Sequence, residues 1–195
     1  MIRYLLTTLF FFVTFLSKAQ EISDTIANLQ EKIKSTKSRN EKIQSMLTLA
    51  ELQYDRDFAM SKELLADAFN LIGEKKDSAS QKQLAYAYVV GGVIKRREGL
   101  YPKALENYLK AKRIYNDFND EQNVSDVLHN MAMVYRYQKE HQKAIDLYKK
   151  SIAVKESLND IHGIGAGYNM MGISYRHIKK LDSALVFYNK AKSLF

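Results

Sequence analysis

Along most of the chain, apolar residues recur at the spacing of one helix face. Leu128, Met131, Ala132 and Tyr135 fall at i, i+3, i+4 and i+7, a single stripe that predicts an amphipathic helix. Ala144, Tyr148 and Ser151 set out the same stripe again. The polar stretch from Tyr137 to Gln142 between them has the length of a helix–helix connection. Together they predict a helical hairpin.

The hairpin recurs. A shift of 40 residues brings Ala104, Ala144 and Ala184 into one column and Tyr108, Tyr148 and Tyr188 into another. Gly92, Ala132 and Gly172 form a column of small residues, as do Ala111, Ser151 and Ala191. Tyr88, Leu128 and Tyr168 align, and so do Arg96, Arg136 and Arg176. The register holds through three copies without a gap, which marks a repeat architecture. Helices that cross about 8–10 Å apart leave no room for bulk at the crossing. The columns Gly92/Ala132/Gly172 and Ala104/Ala144/Ala184 are expected at such crossings, with the tyrosines filling the gaps between successive hairpins. The fold class expected is all-α, a right-handed superhelix of helix-turn-helix repeats forming one continuous unit.

This pattern resembles the tetratricopeptide repeat family. Its succession of a large residue, an apolar–small pair, an aromatic, an alanine, an aromatic and a small residue maps onto Leu128, Met131–Ala132, Tyr135, Ala144, Tyr148 and Ser151. The third copy matches through Tyr168, Met171–Gly172, Tyr175, Ala184, Tyr188 and Ala191. The second matches through Tyr88, Gly91–Gly92, Ala104, Tyr108 and Ala111, with Lys95 where the aromatic is expected. The period of 40 exceeds the family's usual length of about 34. The extra residues are expected between hairpins, in "NDFNDEQNVS" and "ESLNDIHGIG". A weaker copy lies upstream, where Ala68 and Asp77 have the spacing of Ala111 and Asp120; its first helix is expected over about Lys42 to Tyr54. Ile22 to Lys37 reads as a capping helix. The organisation expected is a leader at 1–19, a capping helix at 20–40, a degenerate repeat at 41–83, and repeats at 84–123, 124–163 and 164–195.

The leader expectation comes from "MIRYLLTTLFFFVTFLSKAQ". Arg3 precedes an apolar run from Leu5 to Leu16, and Ser17 and Ala19 have the spacing of a signal-peptidase site, so cleavage is expected after Ala19. A run of that length makes about 18 Å of helix, short of a bilayer crossing. Export would place the chain in the periplasm or cell envelope. The chain has no Cys, one Pro and eight Gly, which excludes disulfides and thiolate chemistry and suits helices. Its formal charge of +8 comes from 30 basic and 22 acidic residues, interspersed along the chain as on solvated helix faces.

Candidate chemistry thins out under the repeat. Lys103, Lys110, Lys143, Lys149, Lys150 and Lys190 recur on second helices beside tyrosines, but those tyrosines hold core columns, and no nucleic-acid partner is expected. "GIGAG" at 163–167 lacks the spacing and the preceding strand of a dinucleotide loop and reads as a loose helix start. His141 is expected to pack between hairpins in the place of Tyr101 and Leu181, and His162 to lie in a loop. No nucleophile–base pair, metal-ligand set or cofactor motif emerges, so neither enzyme activity nor a cofactor is expected.

The Arg column remains. In the family resembled, first helices line the concave face, which implies that Arg96, Arg136 and Arg176 run along a groove, flanked by His129 and Met133. One Arg per repeat suits an acidic or extended peptide. Equally, each Arg pairs with a neighbouring carboxylate or covers a tyrosine ring. The family's best-known peptide clamp uses Lys and Asn where this chain has Val89, His129 and Asn169, then Val93, Met133 and Ile173, a clear departure. Asn130 and Asn169 are candidates for bonding a peptide backbone. The function expected is an exported, non-catalytic scaffold for a protein or peptide, acidic in character. The alternative is the sensor region of a bacterial membrane histidine kinase or transcription regulator, touching a membrane only through a C-terminal continuation. The apolar residues Val186, Phe187, Leu194 and Phe195 point to self-association, continuation or fraying at that end.

Overall fold

A computed structural model describes residues 2–74 and 77–194, with side chains from Ala19 onward. Among the described residues the chain forms nine helices and no strand: α1 (Ile2–Ser35), α2 (Arg39–Gln53), α3 (Phe58–Ile72), α4 (Ser78–Arg97), α5 (Tyr101–Asp117), α6 (Glu121–Tyr137), α7 (His141–Ser157), α8 (Ile161–His177) and α9 (Leu181–Lys192). The leader expected at 1–19 falls on side chains outside the described residues. No described helix is long and apolar enough to cross a membrane.

The chain divides into two compact units, Met1–Gly73 and Glu74–Phe195, where the sequence pattern predicted one. In the first, α2 packs against both α1 and α3, over a core of Ile43, Leu47, Ala50, Ala68 and Ile72. Arg39 donates to the Leu71 and Ile72 carbonyls, closing the end of α3. Ser61 Oγ donates to the Ala50 carbonyl at 2.7 Å. In the second unit each helix packs on the next, from α4 through α9.

The repeat is more regular than its sequence shows. Helices α5 to α8 are each 17 residues long, and every connector from α4 to α9 has three residues. The middle connector residue always has positive φ: Gly99 (74°), Asn119 (51°), Lys139 (64°), Asn159 (55°) and Lys179 (60°). The next residue's N–H reaches back to a carbonyl in the last turn, as in Asp120 to Tyr115 and Glu140 to Tyr135, both 2.9 Å, the Schellman arrangement that ends helices. The backbone thus repeats every 20 residues and the side chains every 40.

The lengthened period therefore goes into longer helices rather than the expected loops. "NDFNDEQNVS" and "ESLNDIHGIG" each hold a three-residue connector, and the rest is helical. Tyr137 and His141 also lie within helices, and His162 lies in the first turn of α8 rather than in a loop. First helices carry side-chain caps: Asp77, Asp120 and Asp160 accept from the N–H groups of Ser80, Asn123 and Gly163. Helices α5, α7 and α9 have none.

The small-residue column works as a seat for the tyrosine column. A Cβ on Gly92 would lie 2.4 Å from the ring of Tyr108, and one on Gly172 would lie 2.6 Å from that of Tyr188. These contacts join the two helices of one hairpin, not successive hairpins as the sequence pattern predicted. Between hairpins the approach is made by Gly167, whose added Cβ would come 2.6 Å from Ile152. "GIGAG" is thus a close-packed strip at the start of α8 rather than a loose one.

A buried lysine with two partly exposed carboxylates ties α6 and α7 to the start of α8. Lys155 is 4% exposed, and its Nζ lies 2.5 Å from Asp126 and 2.9 Å from Asp160. Burial works against the Lys155 charge, but the two carboxylates outweigh it and raise its pKa. Asp160 is held below the usual carboxylate range by the Gly163 N–H and then by Lys155.

Two predictions follow from this packing. Gly92→Ala should lower unfolding free energy by about 1–3 kcal/mol through overpacking, whereas Gly99→Asn, at an open left-handed position, should stay within about 0.5 kcal/mol; urea melts measure both. Because the folded pKa of Asp160 is depressed, its stabilising effect is present above the unfolded carboxylate pKa and is lost as pH falls through the folded value. Asp160→Asn should accordingly flatten the decline of melting temperature below about pH 4, and an unchanged slope would remove Asp160 as its source.

Candidate functional site

The Arg column lies in the last turns of the first helices: Arg96 in α4, Arg136 in α6 and Arg176 in α8. A cation there meets the negative end of the helix dipole. The three are not equivalent in space. Arg96 and Arg136 are partly buried and Arg176 is exposed. The Arg96 and Arg136 guanidinium groups stand over the same ring, Tyr137, at 5.5 and 4.7 Å from its centroid. Each such contact contributes about 0.5–1 kcal/mol at an exposed site. Neither arginine has a carboxylate partner among the described residues. For Arg96 and Arg136, of the two roles open to them inside the protein, ring cover is realised, and acid pairing is not among the described residues.

Tyr137 in turn stacks on Tyr101 at 6.4 Å and 13° between planes. One repeat on, His177 stacks on His141 at 4.7 Å and 3°. The same two positions therefore join successive hairpins twice, with different rings. His141 packs between hairpins as its alignment with Tyr101 predicted. At the third arginine, a histidine stands where Tyr137 would be.

Beside the Arg pair lie His129 and Tyr148. Their rings meet edge to face at 5.0 Å. Burial, followed by the charges of Lys155, Arg136 and Arg96, pushes His129 down to about 4, so its imidazole is neutral at neutral pH. Tyr148 is 0% exposed; burial pushes its phenol up to about 12, with Arg136 and then Arg96 pulling the other way. Arg96 Nε and Arg136 Nε are buried without a hydrogen-bond partner, while the Tyr148 oxygen lies within the reach of the Arg136 guanidinium. Buried N–H groups normally find partners, and these two belong to arginines gathered over one ring.

Among the other sequence candidates, Asn169 is exposed and Asn130 partly buried; neither has a recorded tie to the arginines. Sequence reasoning missed Tyr137 and Tyr148 as site residues. Tyr148 was read as core, which its ring is, and only its hydroxyl has a second part. Tyr137 carries no column signal, since Arg97 and His177 occupy its equivalents. The lysines of the second helices cover tyrosines: Lys110 over Tyr88 at 5.5 Å and Lys190 over Tyr168 at 5.4 Å. Among the described residues no group of three or more His, Asp or Glu side chains is placed to hold a metal ion.

Residues 83–157 match the family model for the tetratricopeptide repeat. A comparison with curated protein sequences finds no match. Solved structures share the fold at low identity. BtubC (BKLC) from P. vanneervenii is 20% identical, with a TM-score of 0.69 over 89% of this chain and 73% of that one. Aspartyl phosphate phosphatase F from Bacillus subtilis is 20% identical, with a TM-score of 0.72 over 82% of this chain but 41% of its own. A signal transduction ATPase with numerous domains and a tetratricopeptide repeat sensor, PH0952 from Pyrococcus horikoshii, is 16% identical, with a TM-score of 0.71 over 91% of this chain and 28% of its own. The 40-residue columns and the paired helices agree with the family match over 83–157: that segment carries tetratricopeptide repeats, and the described residues form an all-α, solenoid-like fold.

Proposed function

We propose that this chain is an exported, non-catalytic interaction module that holds an acidic protein segment along the face formed by its first helices. The observation that carries this reading is the Arg96–Arg136 pair, two cations on one ring with no carboxylate beside them among the described residues. Partly buried charges are usually paired, and a partner's carboxylates would complete these. In this family the first helices line the concave face, which agrees with a bound segment running across α4, α6 and α8. Arg176, exposed at the next repeat, would meet a more distal acid.

A second reading has its own support. On α9, Leu181, Leu185 and Val186 are 65%, 60% and 51% exposed. Ile145, the equivalent of Leu185 one repeat earlier, is 0% exposed. Such a face suits a sensor region that passes a signal on by packing against a further element.

The binding reading is tested on an array of acidic, neutral and basic peptides. The protein should retain acidic members, and the triple variant Arg96→Glu, Arg136→Glu, Arg176→Glu should lose them by about tenfold or more; equal retention by both would contradict it. For export, N-terminal sequencing of the protein purified from its source cells should begin at Gln20. A chain starting at Met1 in the cytosolic fraction would end that part of the reading.

A further inference from the structure

We infer that His141 and His177 form an acid-released joint between successive hairpins: their stack holds at neutral pH and opens when both rings carry a proton. His141 is the first residue of α7 and His177 the last of α8. Their rings lie 4.7 Å apart and 3° from parallel. One repeat earlier the same two positions hold Tyr101 and Tyr137, stacked at 6.4 Å and 13°. Phenols stay neutral throughout the acid range, whereas imidazoles charge near pH 6.5. One joint is therefore built from rings that acid leaves alone, and the next from rings that acid turns into like charges face to face.

The surroundings resist that charge. His141 Nδ1 is buried and has no hydrogen-bond partner. In the imidazolium both nitrogens are donors, so protonation leaves a buried N–H with no acceptor, which is costly. Burial, then His177 on α8, then Arg136 on α6 hold the His141 imidazole below the ordinary histidine range. On its own helix, Glu140 is paired with Lys143. Arg176, Lys179 and Lys180 flank His177 in the chain, and Asp182 follows in the first turn of α9. A base with a depressed folded pKa contributes stability that is present above its unfolded value, about 6.5, and is lost as pH falls through the folded one.

The two ends of the α7–α8 contact answer acid differently. At the far end, about 21 Å along α7 from His141, Lys155 holds Asp160, the N-cap of α8, at 2.9 Å. The Gly163 N–H and then Lys155 keep Asp160 below the usual carboxylate range, so this pair survives mild acid. Gly167 packs against Ile152 close by. Mild acid thus frees the C-terminal end of α8 and leaves its N-terminal end pinned, which makes the change a hinge and not an unfolding.

The test compares the natural protein with the double variant His141→Tyr, His177→Tyr, which copies the Tyr101–Tyr137 pair. Amide hydrogen exchange is followed at pH 7 and pH 5, corrected for the intrinsic rate. At pH 5 His129, pushed down to about 4, remains neutral and does not enter. From pH 7 to pH 5, protection in the last turns of α8 should fall about tenfold or more, while the first turns of α8 and the whole of α5 hold theirs. The double variant should show no such fall. His177→Gln changes an exposed residue and supplies a second check should the double variant not fold: it should abolish the fall too, and NMR should show the His141 titration moving upward once its neighbour's charge is gone. Equal loss of protection at pH 5 in the natural protein and in His177→Gln would overturn the joint. A loss spread evenly along α8 would overturn the hinge, and a His141 titration indifferent to His177 would overturn the coupling of the two rings.

Discussion

One close approach per hairpin governs this fold: a tyrosine ring laid on a residue with almost no side chain. Gly92 under Tyr108 and Gly172 under Tyr188 leave no room for even a methyl group. Glycine inside a helix costs about 1 kcal/mol relative to alanine, while full burial of a large side chain contributes about 1.5–3 kcal/mol. The exchange favours the seat. It also fixes how deeply the second helix settles on the first, and with three-residue connectors ending in left-handed residues, little else about the hairpin is free.

That constraint reaches the candidate site through Tyr148. Its ring is committed to the core, so its hydroxyl cannot swing out to solvent. The ring is thereby fixed beside two partly buried arginines whose Nε groups lack an acceptor, an arrangement that costs about 1–3 kcal/mol for each buried group left unpaired. The Lys155 cluster acts on the same region from the other side. By joining α6, α7 and α8, it holds Asp126 on the helix that carries His129 and Arg136. A group of donors fixed by packing and ion pairing loses little freedom when a ligand arrives.

Much of the fold was legible in the sequence, because the core columns repeat at a fixed distance and repetition amplifies a weak signal. The column Ala104, Ala144 and Ala184 is buried as the periodicity implied, and so are Tyr108 and Tyr148 of the tyrosine column. The connectors were misjudged because Asn119, Lys139, Asn159 and Lys179 differ in type while sharing one backbone conformation; Lys139 and Lys179 give no compositional sign of a left-handed turn. The glycines of 163–167 misled for the opposite reason: flexibility and close packing call for the same residue. At the site, the Arg column was visible, but its inequality was not. Arg176 differs from Arg136 through its neighbours, since the ring that gathers Arg96 and Arg136 is Tyr137, a residue outside every column.

The proposed function turns on Arg96 and Arg136, gathered over Tyr137, taking the acidic side chains of a bound segment. A crystal structure of the protein bound to an acidic peptide tests it most directly. The expected result is a peptide carboxylate within hydrogen-bonding distance, about 2.7–3.0 Å, of the Arg96 or Arg136 guanidinium group. A peptide seated away from the first helices, with neither arginine touching it, would contradict it.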